Sequence, residues 1–407
     1  NKNFLVLNIK KIKRLFSLLI VIAITFIVCS CNQDASPSLF QTTPPGSTPV
    51  ISSISPANKA LAGVSEITIS GSNFSSVNNN NLVFFGGASA TVLQSSPTQI
   101  VVKAPNSIAS NIDVKVAVQG VENFSNIIKY NLVAAVGLYY NFVKGVDQPM
   151  AVAVDKNENV YVNLADRGIK KISPTGDLTD WAPKGGESFF FDLKMGPNNI
   201  LYGTRNVRAI FQIQQGSPSA TFITVPTGNS LVALDFDANG NIWTAGSGGN
   251  IYSITNPGKV TTAFAIDYVI SSVRVYDGYL YVAGKKSTEE AIYRYKINSS
   301  TSLGSVEKYF DIGATYGLGK VKVGAIAFSA DGDLIMGTDQ TNAFILVRNG
   351  AASTFYPGLI LPYARSLEWG TQNNLFYIRE YNDASVTARS LMRVDMEKLS
   401  APYYGRQ

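Results

Sequence analysis

The sequence of 407 residues contains no histidine and only two cysteines, Cys29 and Cys31. Without histidine, the protein cannot use an imidazole general base, a Ser-His-Asp triad or a histidine-ligated zinc ion. Because both cysteines precede residue 32, the rest of the chain can form neither a disulfide nor a thiolate metal site. These absences exclude much of the chemistry by which side chains catalyse reactions.

Charge is also scarce. Charged residues make up 15% of the chain and hydrophobic residues 45%, a balance typical of a folded protein rather than a disordered one. The formal net charge is +6, but five of the 34 basic residues lie within the first 14 positions. Without those five, 29 basic and 28 acidic residues remain. The basic balance therefore belongs to the N-terminal segment, and we expect no nucleic-acid partner.

The N-terminal segment has the features of an export signal. A basic stretch at residues 9–14 precedes residues 15–28, which are 14 apolar or small residues in a row. At ~1.5 Å per residue, this run is too short to cross a ~30 Å hydrocarbon core comfortably. The sequence begins with Asn1 rather than Met, so we expect the true N-terminus to lie upstream.

Residues 28–31, Val-Cys-Ser-Cys, resemble the bacterial lipobox, with an aliphatic residue, a small residue and then a cysteine. The resemblance implies that residues 1–30 are a lipoprotein signal peptide and that Cys31 carries the lipid. An ordinary secretory signal with incidental cysteines is the alternative. Residues 31–48 are rich in Ser, Thr, Pro and Gln and predict a flexible tether. Asn32 is not the aspartate linked with inner-membrane retention, so the resemblance implies anchoring to the outer membrane, on its periplasmic or cell-surface side.

One β-hairpin pattern recurs six times between residues 147 and 396. Each copy has a polar turn, a hydrophobic strand, a short loop and a second alternating strand. The first apolar residues after the six turns are Val160, Ile200, Ile242, Leu280, Leu334 and Leu375. Steps of 38–54 residues with about four short strands per unit predict a β-propeller.

The segment 134–145 resembles the fourth strands that end the other blades, whereas the sixth copy has no such strand of its own. We predict that this N-terminal strand completes the last blade, because such closure removes the free edges of the propeller. Five blades with a stray strand is the alternative. The repeats resemble NHL-type repeats, which carry no catalytic motif by themselves, and the predicted propeller comprises residues 133–407.

Residues 49–132 contain six or seven short alternating strands separated by Gly, Pro and Asn, which predicts an immunoglobulin-like sandwich. The segments ISPANKALAGVSEITISGSNF and FFGGASATV, followed by SNIIKYNL, resemble an IPT/TIG domain. This resemblance implies a spacer, with direct ligand contact as the alternative. The expected fold class is all-β, an IPT/TIG sandwich followed by a six-bladed propeller. Together with the lipobox, these domains resemble lipoproteins of Bacteroidetes-type bacteria, some of which are associated with glycan uptake.

The two faces of the predicted propeller differ in sequence. Turns between the first and second strands of each copy are tight and repetitive, whereas the loops on the opposite face vary in length and residue type, as binding surfaces do. The residues that we expect these loops to present to a ligand are Arg167, Arg205, Arg208, Tyr268, Lys286, Asp339, Tyr363, Arg365, Arg379 and Tyr381. Arginine and tyrosine together suit polar, glycan-like ligands and protein surfaces. We therefore predict a non-catalytic, monomeric binding protein for a glycan or a protein, without a cofactor.

Two metal-dependent alternatives remain open. Asp235, Asp237 and Asn239 match the start of a calcium loop, but Gly246 occupies the twelfth position, where an EF-hand needs an acidic residue. A plain turn is therefore the competing interpretation. A lactonase-like hydrolase would hold a divalent metal in the propeller channel without histidine. Its candidate ligands are Asp235 and Glu368, with Asn163, Asn206 and Asp339 as additions.

Overall fold

The computed structural model describes residues 46–255, 258–383 and 386–406. The predicted signal peptide, Cys31 and most of the predicted tether lie outside these residues. The described chain forms two compact units, and the second comprises 59–66, 104–110 and everything from 131 onward. None of the helices in the described ranges has the length and apolar character needed to cross a membrane.

Residues 49–133 form eight short strands that pair antiparallel, except that the second and the eighth pair in parallel. The strands are β1 (Val50–Ser55), β2 (Lys59–Leu61), β3 (Glu66–Ser72), β4 (Asn81–Phe85), β5 (Ala88–Ser96), β6 (Gln99–Lys103), β7 (Ala109–Val118) and β8 (Ile128–Val133), with a 3₁₀ helix at Asn78–Asn80. Strand β5 links the two parts of the sandwich, because it pairs with β4 near its start and with β6 near its end. Alternate residues face inward, as the period of a strand requires, so that Ile67, Ile69, Val114 and Val116 are fully buried.

The second unit is a propeller of six four-stranded blades. Blade 1 consists of β10 (Pro149–Val154), β11 (Val160–Leu164), β12 (Gly168–Ile172) and β13 (Leu178–Ala182). Blade 2 consists of β14 (Asp192–Met195), β15 (Leu201–Thr204), β16 (Ala209–Ile213) and β17 (Ala220–Thr224). Blade 3 consists of β18 (Ser230–Phe236), β19 (Ile242–Ser247), β20 (Asn250–Thr255) and β21 (Lys259–Ala265).

The other three blades repeat this order. Blade 4 consists of β22 (Val269–Tyr276), β23 (Tyr279–Lys286), β24 (Glu289–Ser299) and β25 (Ser302–Asp311). Blade 5 consists of β26 (Val323–Phe328), β27 (Leu334–Thr338), β28 (Phe344–Arg348) and β29 (Ala351–Thr354). Blade 6 consists of β30 (Ala364–Trp369), β31 (Asn374–Asp383), β32 (Val386–Asp395) and β9 (Val136–Tyr140). The remaining helices are Pro197–Asn199 (3₁₀), α1 (Ile312–Tyr316) and Tyr404–Arg406 (3₁₀).

Strand β9 confirms the predicted closure. It pairs antiparallel with β32, from Val136 opposite Val394 to Tyr140 opposite Leu391. The first strand of the propeller in sequence is thus the outermost strand of its last blade. This pairing covers the outer edge of β32, which would otherwise present unpaired backbone groups.

The hydrophobic core lies between neighbouring blades. Between blades 4 and 5, for example, buried Tyr281 and Phe310 form one cluster with Phe328 and Met336. Burying an aliphatic or aromatic side chain of this kind contributes about 1.5–3 kcal/mol. Each blade is therefore stabilised by its neighbours rather than by an interior of its own.

The first strand of every blade is innermost and runs along a central channel. We call the face at which these strands begin the loop face and the face at which they end the turn face. At the turn face the C-terminal segment covers the channel. The Nε of buried Arg406 donates to the carbonyl of Val154 (3.2 Å), and the hydroxyl of Tyr403 donates to the carbonyl of Met195 (2.8 Å). The loop-face end is therefore the side from which the channel can be entered.

Candidate functional site

A cavity of about 260 Å³ lies at the loop-face end of the channel. Its walls are the beginnings of five inner strands and the residues just before them, at 191–194, 232–233, 270–272, 322–326 and 363–366. These segments are far apart in sequence and meet only because the blades are arranged around one axis. Pockets of this kind, where several elements converge, are common sites for small ligands.

Inner strands are joined around the channel by polar side chains. The acceptors are Asp192, Asp235, Ser272 and Ser366, and each accepts a backbone N–H from the inner strand of the next blade. The bond from Val275 to Asp235, for example, is 2.7 Å long. Polar residues on these strands therefore have a structural role before any ligand is considered, because a buried N–H without an acceptor is costly.

Arg365 and Tyr363 are the two sequence-predicted ligand residues that line the cavity. The guanidinium of Arg365 lies 5.2 Å from the ring centroid of Phe191 and 3.3 Å from the carboxylate of Glu380. Burial lowers the pKa of Arg365, yet arginine stays protonated in proteins, so the cavity wall carries a cation. Its Nε is buried without a hydrogen-bond partner among the described residues.

The neighbouring blade 5 places a second cation next to Tyr363. The Nζ of Lys322 lies 4.4 Å from the ring centroid of Tyr363, close enough for a cation–π contact. Burial raises the pKa of the Tyr363 hydroxyl to about 12, so this group is a hydrogen-bond donor at neutral pH. Gly324 makes room for it, since a Cβ at this position would lie 2.8 Å from the Tyr363 hydroxyl.

Below the cavity, Glu368 is the centre of a buried charge cluster. Its carboxylate lies 2.8 Å from Lys194, 3.1 Å from Arg274 and 2.8 Å from Arg406. Burial by itself would raise the pKa of Glu368, but the three cations outweigh that effect and hold the pKa at about 2. Glu368 is therefore an ionised, fully engaged carboxylate.

Asp235 faces the same channel and is less well paired. Its nearest cation is Arg274, at 3.6 Å, and the oxygen on that side has no hydrogen-bond partner among the described residues. Burial raises the pKa of Asp235 to about 6, although Arg274 and Lys194 oppose the change. Both carboxylates of the hydrolase alternative thus point into the channel, where they are matched by basic side chains.

The other candidates of that alternative lie elsewhere. Asn163 is buried and accepts the N–H of Phe190 (2.9 Å), whereas Asn206 and Asp339 are exposed. Within the described ranges, no three acidic, histidine or cysteine side chains lie close enough together to hold a metal ion. The structure does not assemble these five residues into a ligand set.

The calcium-loop stretch forms a turn in the structure. One oxygen of Asp237 accepts the N–H groups of Asn239 (2.9 Å) and Asn241 (3.0 Å), and the other accepts the Nε1 of Trp243 (2.9 Å). Blade 1 repeats the arrangement around Asp155, whose oxygens accept the N–H groups of residues 157 and 159 and a tyrosine hydroxyl. These contacts occupy Asp237 with donors from its own turn.

Three predicted arginines lie away from the cavity on blades 1 and 2. Arg167 is half exposed and forms a 3.0 Å ion pair with Asp147. The guanidinium of Arg205 lies 5.5 Å from the ring centroid of Phe211. Arg208 is exposed and donates to a backbone carbonyl at 3.1 Å. The three arginines belong to the surface of blades 1 and 2, and their side chains do not converge on one point.

Four further predicted residues are likewise engaged locally. Lys286 pairs with Asp267 at 3.0 Å. Arg379 lies 4.4 Å from the ring centroid of Tyr381, so these two predicted residues contact each other. The exposed carboxylate of Asp339 accepts the backbone N–H of Lys322 at 2.8 Å.

Tyr268 lies in the core rather than on the exposed loops where the sequence analysis expected it. Only 8% of the residue is exposed. Its ring stacks on Tyr293 with the centroids 4.5 Å apart, and its hydroxyl is hydrogen-bonded to that of Tyr295. A tyrosine just before an inner strand can point to solvent or between two blades. Here the side chain lies between blades, because it packs against other aromatic rings.

Sequence reasoning missed Phe191 and Lys322. Phe191 ends a run of three phenylalanines directly before β14, and such an apolar run in a connecting loop is a detectable signal. Lys322 lies just before β26 and carries no distinguishing pattern. Its place on the cavity wall follows from the arrangement of blades 5 and 6.

Comparison with known families identifies the N-terminal part. Residues 49–132 match the family model of the IPT/TIG domain. The chain therefore combines an IPT/TIG domain with a six-bladed propeller. A search of curated proteins finds no significant match.

Several solved structures of similar fold come from Bacteroides. An auxiliary nutrient binding protein from Bacteroides thetaiotaomicron is 13% identical, with a TM-score of 0.50, over 86% of this chain and 98% of its own. One from Bacteroides ovatus is also 13% identical, with a TM-score of 0.50, over 85% and 98% of the two chains. A Bacteroides thetaiotaomicron protein described as a presumed phosphatase is 11% identical, with a TM-score of 0.52, over 85% and 97%. At these identities the likeness concerns the fold alone.

Proposed function

We propose that this protein is an exported, lipid-anchored binding protein that recognises a glycan at the loop-face end of its propeller channel. The observation that carries the proposal is the cavity, in which aromatic rings and fixed polar groups meet. Phe191 and Tyr363 offer apolar faces, while Arg365, Lys322 and Ser271 offer hydrogen-bond donors. Such a mixture of a few oriented polar groups with apolar walls suits a sugar ring, which has hydroxyls at its edge and C–H groups on its faces.

The chemistry of the channel also favours binding over hydrolysis. Glu368 is ionised and held by three cations. Asp192, a carboxylate of the cavity wall, accepts the backbone N–H of Leu234 and lies 3.3 Å from Lys194. The name of the two Bacteroides nutrient-binding proteins agrees with a binding role, but the proposal rests on the cavity. Within this proposal the IPT/TIG domain serves as a spacer, and the Cys31 anchor retains the protein at the outer membrane.

The test is a binding screen of the purified protein against a panel of oligosaccharides by thermal shift, followed by calorimetry. We expect Phe191→Ala to weaken binding of any hit at least about tenfold, because it removes one apolar face of the cavity. The matched control is Phe222→Ala, which removes a partly exposed ring from the outer strand of the same blade. Equal binding by both variants would contradict the site, and a stoichiometric metal that is needed for turnover of a lactone would favour the hydrolase instead.

A further inference from the structure

A second cavity, of about 200 Å³, adjoins the first between blades 4 and 5. The two share Ser271, Lys322 and Val323 in their walls, and we call the two cavities together the groove. Its far end is bounded by Ile312 of α1 and by Lys285. Each cavity alone is smaller than the ~300–1,000 Å³ of typical ligand sites, whereas the two together fall within that range. The groove is therefore suited to an elongated ligand of more than one ring.

Lys322 stands at the junction of the two cavities and carries uncompensated charge. Its side chain is exposed and contacts the ring of Tyr363, and no ion pair engages its Nζ in the part of the chain that the structure describes. The nearby carboxylate of Asp339 accepts the backbone N–H of Lys322 and the amide of Gln340. By contrast, Lys285 at the far end is neutralised by a direct ion pair with Glu290.

Arg365, on the adjacent blade 6, shares its acidic partner with a second guanidinium group. Arg365 lies 3.3 Å from Glu380, but Arg389 lies only 2.7 Å from the same carboxylate. One carboxylate thus serves two guanidinium groups, and the Nε of Arg365 remains without a partner. Within a partly buried site, an uncompensated cation attracts an anion more strongly than it would in open solvent.

We propose that the groove binds an anionic oligosaccharide, with the acidic group of one sugar unit between Lys322 and Arg365 and a neighbouring unit in the second cavity. This inference rests on the proposed glycan-binding function and names its substrate class. A uronate carboxylate and a sulfate ester share the required chemistry, since both accept hydrogen bonds from an ammonium and a guanidinium group. Neutral glycans offer these two cations no acidic group and bind less tightly.

The experiment uses pairs of oligosaccharides that differ only in charge. Oligogalacturonates are compared with their methyl esters, alginate oligosaccharides with their methyl esters, and sulfated galactan and chondroitin fragments with their desulfated forms. Calorimetry on the whole protein is expected to show binding to at least one acidic member, at least tenfold tighter than to its neutral partner, and weakening as salt is raised. The carboxylate and sulfate arms decide which acidic group is preferred.

Lys322→Gln locates the site, and Lys320→Gln is its matched control. Lys320 is exposed in the same loop and lines neither cavity. We expect the first variant to lose about tenfold in affinity for the acidic ligand with no change for the neutral partner, and the second to bind as wild type. Equal or tighter binding of neutral members overturns the anionic assignment and leaves the glycan function standing. If Lys322→Gln binds the acidic ligand as tightly as wild type, the groove is not its binding site. If no member of the panel binds, both proposals are wrong.

Discussion

At two blade turns, a single aspartate satisfies the donors of the following residues. Asp155 and Asp237 each accept the backbone N–H groups two and four residues ahead and a donor from the side chain six residues ahead. This is the usual reason for aspartate at the start of a turn. The repetition also explains why a turn can look like the beginning of a calcium loop.

Asp237→Ala is expected to lower the free energy of unfolding by about 2–3 kcal/mol, because it leaves buried donors without an acceptor. Denaturant unfolding with calcium and with EDTA measures the change. Asp155→Ala in blade 1 is the matched variant and should cost a similar amount. Calcium that stabilises the wild type but not Asp237→Ala would show that a cation site had been missed.

The buried charges of the channel make the protein sensitive to single substitutions. Glu368→Gln keeps the size of the side chain and removes its charge, leaving Lys194, Arg274 and Arg406 without their shared partner. We expect a loss of about 3–5 kcal/mol in stability. The control is Glu307→Gln, which breaks an exposed pair with Arg294 and should cost about 1 kcal/mol or less. Similar losses in both variants would contradict the role of Glu368 as the centre of the cluster.

The raised pKa of Asp235 predicts that the free energy of unfolding decreases as the pH rises. Its pKa is raised to about 6 in the folded protein, so between about pH 4 and pH 6 the folded state binds the proton more tightly than the unfolded chain. The free energy of unfolding should therefore decrease by up to about 3 kcal/mol across this window. Glu368, with its pKa lowered to about 2, acts in the opposite sense between about pH 4.5 and pH 2, which overlaps this window only near its lower end.

Urea unfolding at several pH values between 4 and 7 tests this dependence. Asp235→Asn removes the titrating group and should flatten the decrease, whereas Asp180→Asn, at an exposed carboxylate, should leave it intact. An unchanged slope in Asp235→Asn would assign the pH dependence to other groups.

Among the elements, strand β9 has a role larger than its five residues suggest. It covers the edge of β32, and its Tyr139 and Tyr140 pack against the core between blades 6 and 1. Two segments far apart in sequence are thereby joined within one blade. Propeller stability should therefore depend on residues that precede all six repeats.

We expect a fragment of residues 134–407 to unfold cooperatively and a fragment of residues 142–407 to be less stable by a few kcal/mol and prone to aggregation. The physical reasons are the exposed edge of β32 and the loss of buried aromatic surface. Size-exclusion chromatography and thermal unfolding compare the two. A synthetic peptide of residues 134–145 should restore stability to the shorter fragment, and equal stability without it would contradict the closing role of β9.

At the scale of the whole molecule, the proposed anchor determines where the groove can meet a glycan. If Cys31 carries the lipid, the protein should partition with the outer membrane and incorporate a labelled fatty acid. Cys31→Ser should abolish both, because without acyl chains nothing holds the chain at the bilayer. Cys29→Ser is the matched control and should leave labelling unchanged. If only Cys29→Ser lost the label, the modified residue would be Cys29 instead of Cys31.

The sequence determined the architecture of this protein. Repeats every 38–54 residues predicted six blades, and the lone strand at 134–145 predicted their closure. Both predictions succeed because strand alternation and turn chemistry are local properties, which a short stretch of sequence records. The composition likewise excluded histidine-dependent chemistry.

Only the tertiary structure decided the candidate site. Tyr363 and Arg365 were predicted and line the cavity. Phe191 and Lys322 also line it, although they lie 172 and 41 residues before Tyr363 in the sequence. The loop residues that lean toward the channel depend on how neighbouring blades pack, as the burial of Tyr268 illustrates. The distance of a residue from the propeller axis has no local signature in the sequence, because it is set by contacts between blades.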